Sequence, residues 1–389
     1  MTPLGIRHYT VTTALGAGLT AQLEALRNER SGLSAEPFES ATLNTWTGRV
    51  AGLDTPLPTE FADWDCRNNR LAELGLAQDG FATAVANALA RYGADRIGVF
   101  IGTSTSGVLQ TERGYRERSE EALPAWFHLR QTQNTYSVAA YVQRRLGLCG
   151  ISAAISTACS SSAKVFASAQ RAIAAGVCDA AVVGGVDSLC LTTLYGFNAL
   201  QLLAPEPCRP ADAERCGLSI GEAAGFALLE RDNGDALRLI GYGESNDAHH
   251  MSAPAPDGAG ALAAMTAALA RAGATAMDID YINLHGTATP ANDAAEDRAV
   301  TSLFGSRVPC SSTKGWTGHT LGAAGIVEAG LSLISLEHGL LPRSLNTHRI
   351  DPSFGAAIAL ESRALPLRRV LSNSFGFGGS NCSLVFERP

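Results

Sequence analysis

Short apolar runs rich in β-branched residues alternate along this chain with alanine-rich segments of helical periodicity. Apolar runs of about four to eight residues between turn residues predict buried strands, and the alanine-rich segments predict helices packed on a sheet. Strands are predicted in DRIGVFIGTS (95–104), ISAAIS (151–156), DAAVVGGVDS (179–188), IDYINLHGTATP (279–290), VPCSST (308–313) and, as a pair, RVLSNSFGFGGSNCSLVFE (369–387). Helices are predicted from about 160 to 175 and from about 321 to 339. This alternation is typical of an α/β fold.

The two halves of the chain resemble each other in kind. Each half has a buried strand, a polar loop with candidate chemistry and a helix of small residues. We place the seam in ERDNGDALRLIGYG (230–243), which predicts an N-terminal half at 1–235 and a C-terminal half at 236–389. The letters of the two halves differ too much to identify a repeat from the sequence alone.

Composition agrees with a large buried core and excludes one class of partner. The 389 residues are 46% hydrophobic and 17% charged, and 40 glycines indicate tight backbone approaches. The net charge is -7, and no basic run with interleaved aromatic residues is present, so we expect no nucleic-acid partner. The arginine-rich RGYRER (113–118) is a weak candidate for docking an acidic protein.

Nine scattered cysteines bear on metal binding and on location. They form no CxxC pair and no His/Cys cluster at zinc spacing, so we expect no metal site and free thiols in a reducing compartment. The N-terminal letters lack a signal-peptide pattern, and no apolar run reaches transmembrane length. We therefore expect a cytoplasmic protein without a membrane partner.

The stretch ISTACSSSAK (155–164) places Cys159 between a predicted strand and a predicted helix. A thiol at a helix N-terminus lies near unpaired N–H groups and the positive end of the helix dipole, which favour the thiolate and predict a lowered pKa. A sharp strand-to-helix turn also presents a nucleophile, as in other nucleophile elbows. The alternative is a buried, inert cysteine, which describes most lone cysteines.

Further reactive side chains occupy similar junctions in the second half. His285 ends an apolar strand in NLHGTATPAND (283–293), and Lys314 and His319 lie between a strand and a helix in SSTKGWTGHTLGAAG (311–325). Sites in open α/β sheets form at the carboxyl ends of strands, so we expect Cys159, His285 and His319 to meet. A histidine taken alone at such a position is more often a satisfied core residue.

An ordered set of segments resembles one enzyme family. The segments are TACSSS (157–162), HGTATPAND (285–293), KGWTGHTLGAAG (314–325), NSFGFGGSN (373–381), CRPADAERCGLSIGEAAGFALLE (208–230) and ALGAGLTAQLEALRNERSGL (14–33). Together they resemble the β-ketoacyl-acyl carrier protein synthases of the elongating, Cys-His-His type. The resemblance spans nearly the whole chain and implies a five-layered αβαβα thiolase-like fold built from two related halves.

The resemblance also implies the catalytic roles. Cys159 would carry the acyl group covalently, and neutral His285 and His319 would donate Nε2–H to the enolate formed when malonyl-carrier protein loses carbon dioxide. Backbone N–H groups of Cys159 and Phe377 would form the oxyanion hole. Lys314 and Glu296 would form a buried pair that orients the second histidine, His319. The alternative without a functional role is a solvated lysine and a surface carboxylate.

Substrate contacts and partners follow from the same resemblance. The implied substrate-binding residues are Thr287 and Thr289 for the phosphopantetheine arm, Phe377 as a gate, Phe375, and Thr105 as a candidate liner of the acyl pocket. The arm is carried by the acyl carrier protein, so no cofactor of the chain's own is expected. Dimerisation is expected near 134–155, as a homodimer or as a heterodimer with a related synthase-fold subunit.

Two alternatives and a question of pathway stay open. A chain-length-factor-like partner would lack the nucleophile, and a chain-initiating synthase or thiolase would use Cys-His-Asn or Cys-His-Cys; Cys159 and His319 argue against both. Trp316 and the letters GEAAG (221–225) depart from the family pattern. These departures favour specialised polyene or polyketide synthesis over housekeeping fatty-acid synthesis.

Overall fold

One large mixed sheet is built from the apolar runs of the sequence. The computed structural model describes residues 1–232, 234 and 237–389. The strands in this part of the chain are β1 (Leu4–Thr12), β2 (Leu33–Ser34), β3 (Thr47–Gly48), β4 (Ile97–Gly102), β5 (Ser152–Ile155), β6 (Ala180–Asp187), β7 (Ile220–Gly221), β8 (Ala223–Arg231), β9 (Leu237–Asn246), β10 (Tyr281–Asn283), β11 (Pro309–Ser311), β12 (Leu340–Leu341), β13 (Ala357–Ile358), β14 (Arg363–Ala364), β15 (Arg369–Gly376) and β16 (Ser380–Glu387).

Helices of mostly small residues connect these strands. They are α1 (Gly18–Arg27), α2 (Arg67–Leu76), α3 (Phe81–Tyr92), α4 (Val108–Arg116), α5 (Ser137–Arg145), α6 (Ser161–Ala174), α7 (Leu191–Ala199), α8 (Ala259–Ala272), α9 (Pro290–Phe304), α10 (Lys314–Thr317) and α11 (Ala324–His338). Among the described residues, no helix is long and apolar enough to cross a membrane.

The sheet consists of two parts with the same topology. Its order is β13-β11-β10-β15-β16-β9-β1-β8-β6-β4-β5. Apart from the short edge strand β13, each part has its strands, counted along the chain, in the order third, second, fourth, fifth, first: β5-β4-β6-β8-β1 and β11-β10-β15-β16-β9. In each part the first three strands of that order are parallel and the next two pairings are antiparallel. The strand order therefore shows an internal repeat that the amino-acid sequences of the two halves are too different to reveal.

Three large hydrophobic cores lie between the layers. Helices α6 and α11 lie in the middle, and their apolar residues pack with both parts of the sheet. Helices α2, α3 and α5 cover the outer face of the first part, and α8 and α9 cover that of the second. Alternate strand residues serve different cores: Val183 faces the middle layer and Val182 the outer helices. This arrangement is the predicted five-layered αβαβα fold.

The two middle helices lie close together because a glycine faces an alanine. A Cβ atom on Gly325 of α11 would lie 2.3 Å from the backbone nitrogen of Ala163 in α6. The predicted helix at 321–339 begins with a 3₁₀ turn, Leu321–Ala323, before α11 continues to His338. The predicted boundary between residues 235 and 236 falls outside the described residues. The parts of the sheet join where β1 pairs antiparallel with β9.

Candidate active site

Cys159 lies on a strained turn between β5 and α6. Ala158 has a φ of 53°, a left-handed conformation that is uncommon for residues other than glycine. The hydroxyl of Ser161 accepts a hydrogen bond from the Thr157 N–H at 2.9 Å and donates to the Ala158 carbonyl at 2.5 Å. Ser160 donates to the Thr157 carbonyl at 2.9 Å. The serines after Cys159 therefore hold the turn that presents it, in addition to being small.

His319 is in direct contact with the thiol. Its Nε2 lies 3.0 Å from Sγ of Cys159, and its Nδ1 accepts the backbone N–H of Leu321 at 3.3 Å. Leu321 has a φ of 52°, so a second strained residue directs this N–H back to the ring. Because Nδ1 is an acceptor, the proton of the neutral imidazole is on Nε2, facing the sulfur.

His285 is oriented from the opposite side by Lys314. Nζ of Lys314 lies 3.3 Å from Nδ1 of His285 and also donates to the His285 carbonyl. A lysine ammonium only donates, so Nδ1 of His285 accepts and its proton is on Nε2. The rings of His285 and His319 are 5.3 Å apart at 85°, and one side-chain atom from each of Cys159, His285 and His319 lies within 4.8 Å of the others. The structure thus brings together the three residues predicted to meet.

The predicted Lys314–Glu296 pair is wrong. Nζ of Lys314 is paired with Glu328 on α11. Glu296 instead accepts the backbone N–H groups of His285 at 2.8 Å and Gly286 at 2.7 Å, so its oxygens are occupied on the loop itself. Lys314 accordingly orients His285. The expectation that it would orient the second histidine, His319, is wrong.

Glu328 is the functional residue that the sequence reasoning missed. It is buried within α11, among the thirteen consecutive buried residues from Ala324 to Leu336. A carboxylate at the centre of such a helix is costly unless a cation pairs with it. The single acid in the apolar stretch from Ala324 to Leu336 was therefore a signal that could have pointed to Lys314.

Burial sets the protonation states of the three reactive groups. Burial lowers the pKa values of His285 and His319 well below the ordinary value, and the charge of Lys314 lowers both further. Burial raises the pKa of the Cys159 thiol to about 12, against the opposing effects of Lys314 and the Phe377 N–H. The lowered pKa predicted for Cys159 is therefore wrong, because the loss of solvation outweighs the helix N-terminus. The resting site holds a neutral thiol and neutral imidazoles.

The glycine turn after β15 lies against the nucleophile. The backbone N–H of Phe377 lies close enough to the Cys159 sulfur to oppose the rise in the pKa of the thiol. A Cβ atom on Gly376 would lie 2.7 Å from the Thr157 carbonyl oxygen and 3.2 Å from the Cys159 nitrogen, so this approach requires glycine. The backbone of Gly376 thus lies against that of Cys159, and the oxyanion hole formed by the Cys159 and Phe377 nitrogens stays a prediction.

A cavity of about 60 Å³ opens onto these groups. Its wall includes Thr287, Thr289, Phe375 and Phe377, four of the predicted substrate-binding residues. The hydroxyls of Thr287 and Thr289 are 2.9 Å apart. Phe377 stacks on Phe197 with ring centroids 5.6 Å apart. Both rings belong to the wall of this narrow cavity.

Thr105 does not lie on the wall of this cavity. It is buried, and its hydroxyl donates to Oδ1 of Asp187 at 2.9 Å. Cys159, His285 and His319 are the candidate metal donors among the described residues. The ammonium of Lys314 at His285 opposes a second cation there by like-charge repulsion, so the donor set fits a metal poorly.

The chain matches two family models along most of its length. The model described as beta-ketoacyl synthase, N-terminal domain, matches residues 10–234, and the C-terminal domain model matches residues 237–348. The chain belongs to the beta-ketoacyl synthase family. The 3-oxoacyl-acyl-carrier-protein synthase 2 of Rhizobium meliloti is 41% identical over 75% of this synthase and 74% of its own length. That of Vibrio harveyi is 34% identical over 96% and 95%.

Solved structures agree with the family assignment. A chain in the structure of the ketosynthase ApeO in complex with its chain length factor ApeC, from Xenorhabdus doucetiae, is 37% identical and has a TM-score of 0.92. The match covers 100% of this synthase and 98% of that chain. The synthase is therefore an acyltransferase of the elongating ketosynthase type with a thiolase-like fold.

Proposed function

We propose that Cys159, His285 and His319 together catalyse the decarboxylative condensation of an acyl group with malonyl-acyl carrier protein. The observation that carries the proposal is the 3.0 Å contact between Nε2 of His319 and Sγ of Cys159, beside a second histidine whose Nδ1 is occupied by Lys314. This geometry provides one nucleophile and two Nε2–H donors. A chain-length-factor-like role needs none of these groups.

In the first half-reaction Cys159 takes the acyl group. Sγ attacks the carbonyl carbon of the acyl thioester as the thiol loses its proton, and the oxyanion is held by the backbone N–H groups of Cys159 and Phe377. The carbon–sulfur bond to the carrier then breaks, and the departing thiolate takes up the proton that Cys159 released, so the half-reaction has no net change in protons. Because burial raises the pKa of Cys159 to about 12, deprotonation is part of the barrier and not a resting condition.

In the second half-reaction the two histidines stabilise negative charge. The malonyl thioester oxygen accepts Nε2–H from His285 and His319, and the electron pair of the breaking carbon–carbon bond becomes the enolate as carbon dioxide leaves. The enolate carbon attacks the acyl carbonyl, and Cys159 leaves as the chain grows by two carbons. Neutral imidazoles suit this step: their lowered pKa values keep them uncharged, and Lys314 and the Leu321 N–H keep the ring protons on Nε2.

Substrate delivery follows from the cavity. We propose that the phosphopantetheine arm comes from the acyl carrier protein, with Thr287 and Thr289 as its hydroxyl contacts, so the synthase brings no cofactor of its own. Phe377 separates the cavity from the acyl side and must leave Phe197 when an acyl chain enters. All nine cysteines are free, which supports a reducing, cytoplasmic location.

The partner subunit is proposed from the edge of the sheet. β5 is the last strand in the sheet order, and its residues are only half buried. An uncovered edge strand readily pairs with another chain. The likeness to a chain of the complex between the ketosynthase ApeO and its chain length factor ApeC supports a heterodimer with a related subunit in a specialised polyene or polyketide pathway; a homodimer is the alternative.

The decisive experiment measures covalent acylation and product formation. The synthase is incubated with a panel of acyl-carrier proteins that differ in chain length and unsaturation, and its intact mass is recorded before and after malonyl-carrier protein is added. We expect one acyl adduct, lost in Cys159→Ala and retained in Cys149→Ala, an exposed cysteine. An adduct that survives Cys159→Ala, or an adduct that malonyl-carrier protein never discharges, contradicts the proposal.

A further inference from the structure

Asp187 is a buried acid that the proposed chemistry does not use. It ends β6 and is 0% exposed. Isolated buried carboxylates are costly, and they persist where hydrogen bonds satisfy the oxygens. The partners of Asp187 in the described part of the chain come from both halves of the synthase.

The two carboxylate oxygens serve different segments. Oδ1 accepts the Thr103 hydroxyl at 2.7 Å, the Ser104 N–H at 2.8 Å, and the N–H and hydroxyl of Thr105, each at 2.9 Å. Oδ2 accepts the backbone N–H of Gly322 at 2.6 Å and the Ser104 N–H at 3.0 Å. Oδ1 therefore holds the loop after β4, whereas Oδ2 also reaches into the C-terminal half.

Gly322 belongs to the turn that fixes His319. The turn Leu321–Ala323 follows His319, and the Leu321 N–H donates to Nδ1 of that ring. A Cβ atom on Gly322 would lie 2.7 Å from Oδ2 of Asp187 and 2.6 Å from Oγ of Ser104. The turn is thus seated directly on the carboxylate and its loop.

The same loop also touches the turn that carries the nucleophile. Oγ of Ser104 donates to the Ala158 carbonyl at 3.4 Å, one residue before Cys159. Asp187 therefore contacts the segment that sets the orientation of His319 directly, and it reaches the turn of Cys159 through Ser104.

We propose that Asp187 is a positioning residue, which holds the Leu321–Ala323 turn through the Gly322 N–H so that Nε2–H of His319 points at Cys159. The kinetic consequence rests on the proposed condensation reaction, whereas the positioning itself does not. Hydrogen bonds to a charged acceptor are strong, so the loss of this one moves the ring.

The test removes one oxygen and keeps the shape. In Asp187→Asn the amide oxygen can serve the donors around Oδ1, while its NH₂ faces the Gly322 N–H and cannot accept from it. Gly322→Ala approaches the same contact from the other side, because its methyl group pushes the turn off the carboxylate. Thr103→Val is the matched control: it removes a hydrogen bond of 2.7 Å from Oδ1 and leaves Gly322 untouched.

The first readout needs no substrate. Alkylation of Cys159 by iodoacetamide, followed by peptide mass spectrometry, reports how well His319 supports the thiolate. In Asp187→Asn and Gly322→Ala we expect alkylation about threefold slower than in the wild type at one pH, since roughly that change follows from a weakened hydrogen bond to sulfur. A merely structural role would loosen the site, expose Cys159 and make alkylation faster.

The second readout uses both half-reactions. Decarboxylation of malonyl-carrier protein should fall roughly tenfold or more, because the enolate depends on the Nε2–H of His319 pointing into the site. The rate of acylation should fall only as much as the rate of alkylation. Thr103→Val should lower thermal stability with no change in the ratio of the two rates. Equal losses in both half-reactions, or the same alkylation change in Thr103→Val, would overturn the proposal.

The outcomes separate the two proposals. A wild-type synthase that neither acylates nor decarboxylates contradicts the proposed function, and the alkylation comparison then still decides the role of Asp187. A wild-type synthase that condenses normally, with alkylation unchanged or faster in Asp187→Asn and Gly322→Ala, contradicts the role of Asp187 alone.

Discussion

Nζ of Lys314 lies 3.3 Å from Nδ1 of His285. Lys314 also donates to the His285 carbonyl and to Glu328, so its three N–H groups all have acceptors. The contact determines which ring nitrogen of His285 carries the proton. A lysine buried for this purpose needs a buried anion, and Glu328 provides it.

Replacing Lys314 should impair decarboxylation more than acylation. In Lys314→Met, Nδ1 of His285 loses its donor and the proton is no longer confined to Nε2, so decarboxylation should fall roughly tenfold to a hundredfold. Carbon dioxide release and acyl-adduct formation are measured in parallel. Lys164→Met, at the other lysine of the chain, is the control and should keep the ratio of the two rates. A proportional loss of both half-reactions in Lys314→Met would contradict this tautomer argument.

Removing the two partners of the buried ion pair should have unequal effects on stability. Glu328→Gln leaves Lys314 buried without its anion, which should lower the free energy of unfolding by about 3 to 5 kcal/mol. Lys314→Met should cost less, because burial has already raised the pKa of Glu328 to about 7 and the carboxyl group can take up a proton. Urea denaturation near neutral pH measures both variants. Equal losses, or a larger loss for Lys314→Met, would contradict the pairing inferred here.

The reactivity of Cys159 should increase steadily with pH. Because burial raises the pKa of the thiol to about 12, the thiolate fraction should grow about tenfold per pH unit between about pH 6 and pH 9. Iodoacetamide alkylation, followed on the peptide that contains Cys159, measures this dependence. An alkylation rate that reaches a plateau below about pH 8 would mean that the helix N-terminus lowers the pKa of Cys159 by more than burial raises it. The exposed Cys149 provides the internal comparison.

The histidines should keep their function as the pH falls, while the folded state loses stability. Burial lowers the pKa values of His285 and His319 in the folded protein, whereas both titrate near 6.5 when unfolded. Their contribution to stability is full above about pH 6.5 and declines as the pH falls below it, since the unfolded chain then binds more protons. Decarboxylation by folded, pre-acylated synthase should stay flat from about pH 7.5 to pH 6. A fall in activity with a midpoint near 6.5 would mean that the imidazoles protonate in the folded state.

Local patterns in the sequence were sufficient to predict which residues are reactive. Cys159, His285 and His319 each follow an apolar strand. His285 and His319 follow the neighbouring parallel strands β10 and β11, so their meeting follows from topology, whereas Cys159 follows β5 in the other part of the sheet and reaches them only through the packing of the two halves. The elongating-synthase resemblance rests on the same segments, and the family models agree with it. The relation between the halves emerged only from the order of strands, because topology can persist when side chains diverge.

Pairings between distant segments required the tertiary structure. Glu296 lies closer in sequence to the His285 motif than Glu328 does, yet the packing of α11 against β15 brings Glu328 to Lys314, and Glu296 is used by backbone amides. The protonation state of Cys159 also depends on the tertiary structure. The sequence by itself determined which residues are reactive and on which junctions they stand; the tertiary structure decided their partners and charge states. The physical reason is that a helix end acts locally, whereas desolvation depends on everything packed around the sulfur.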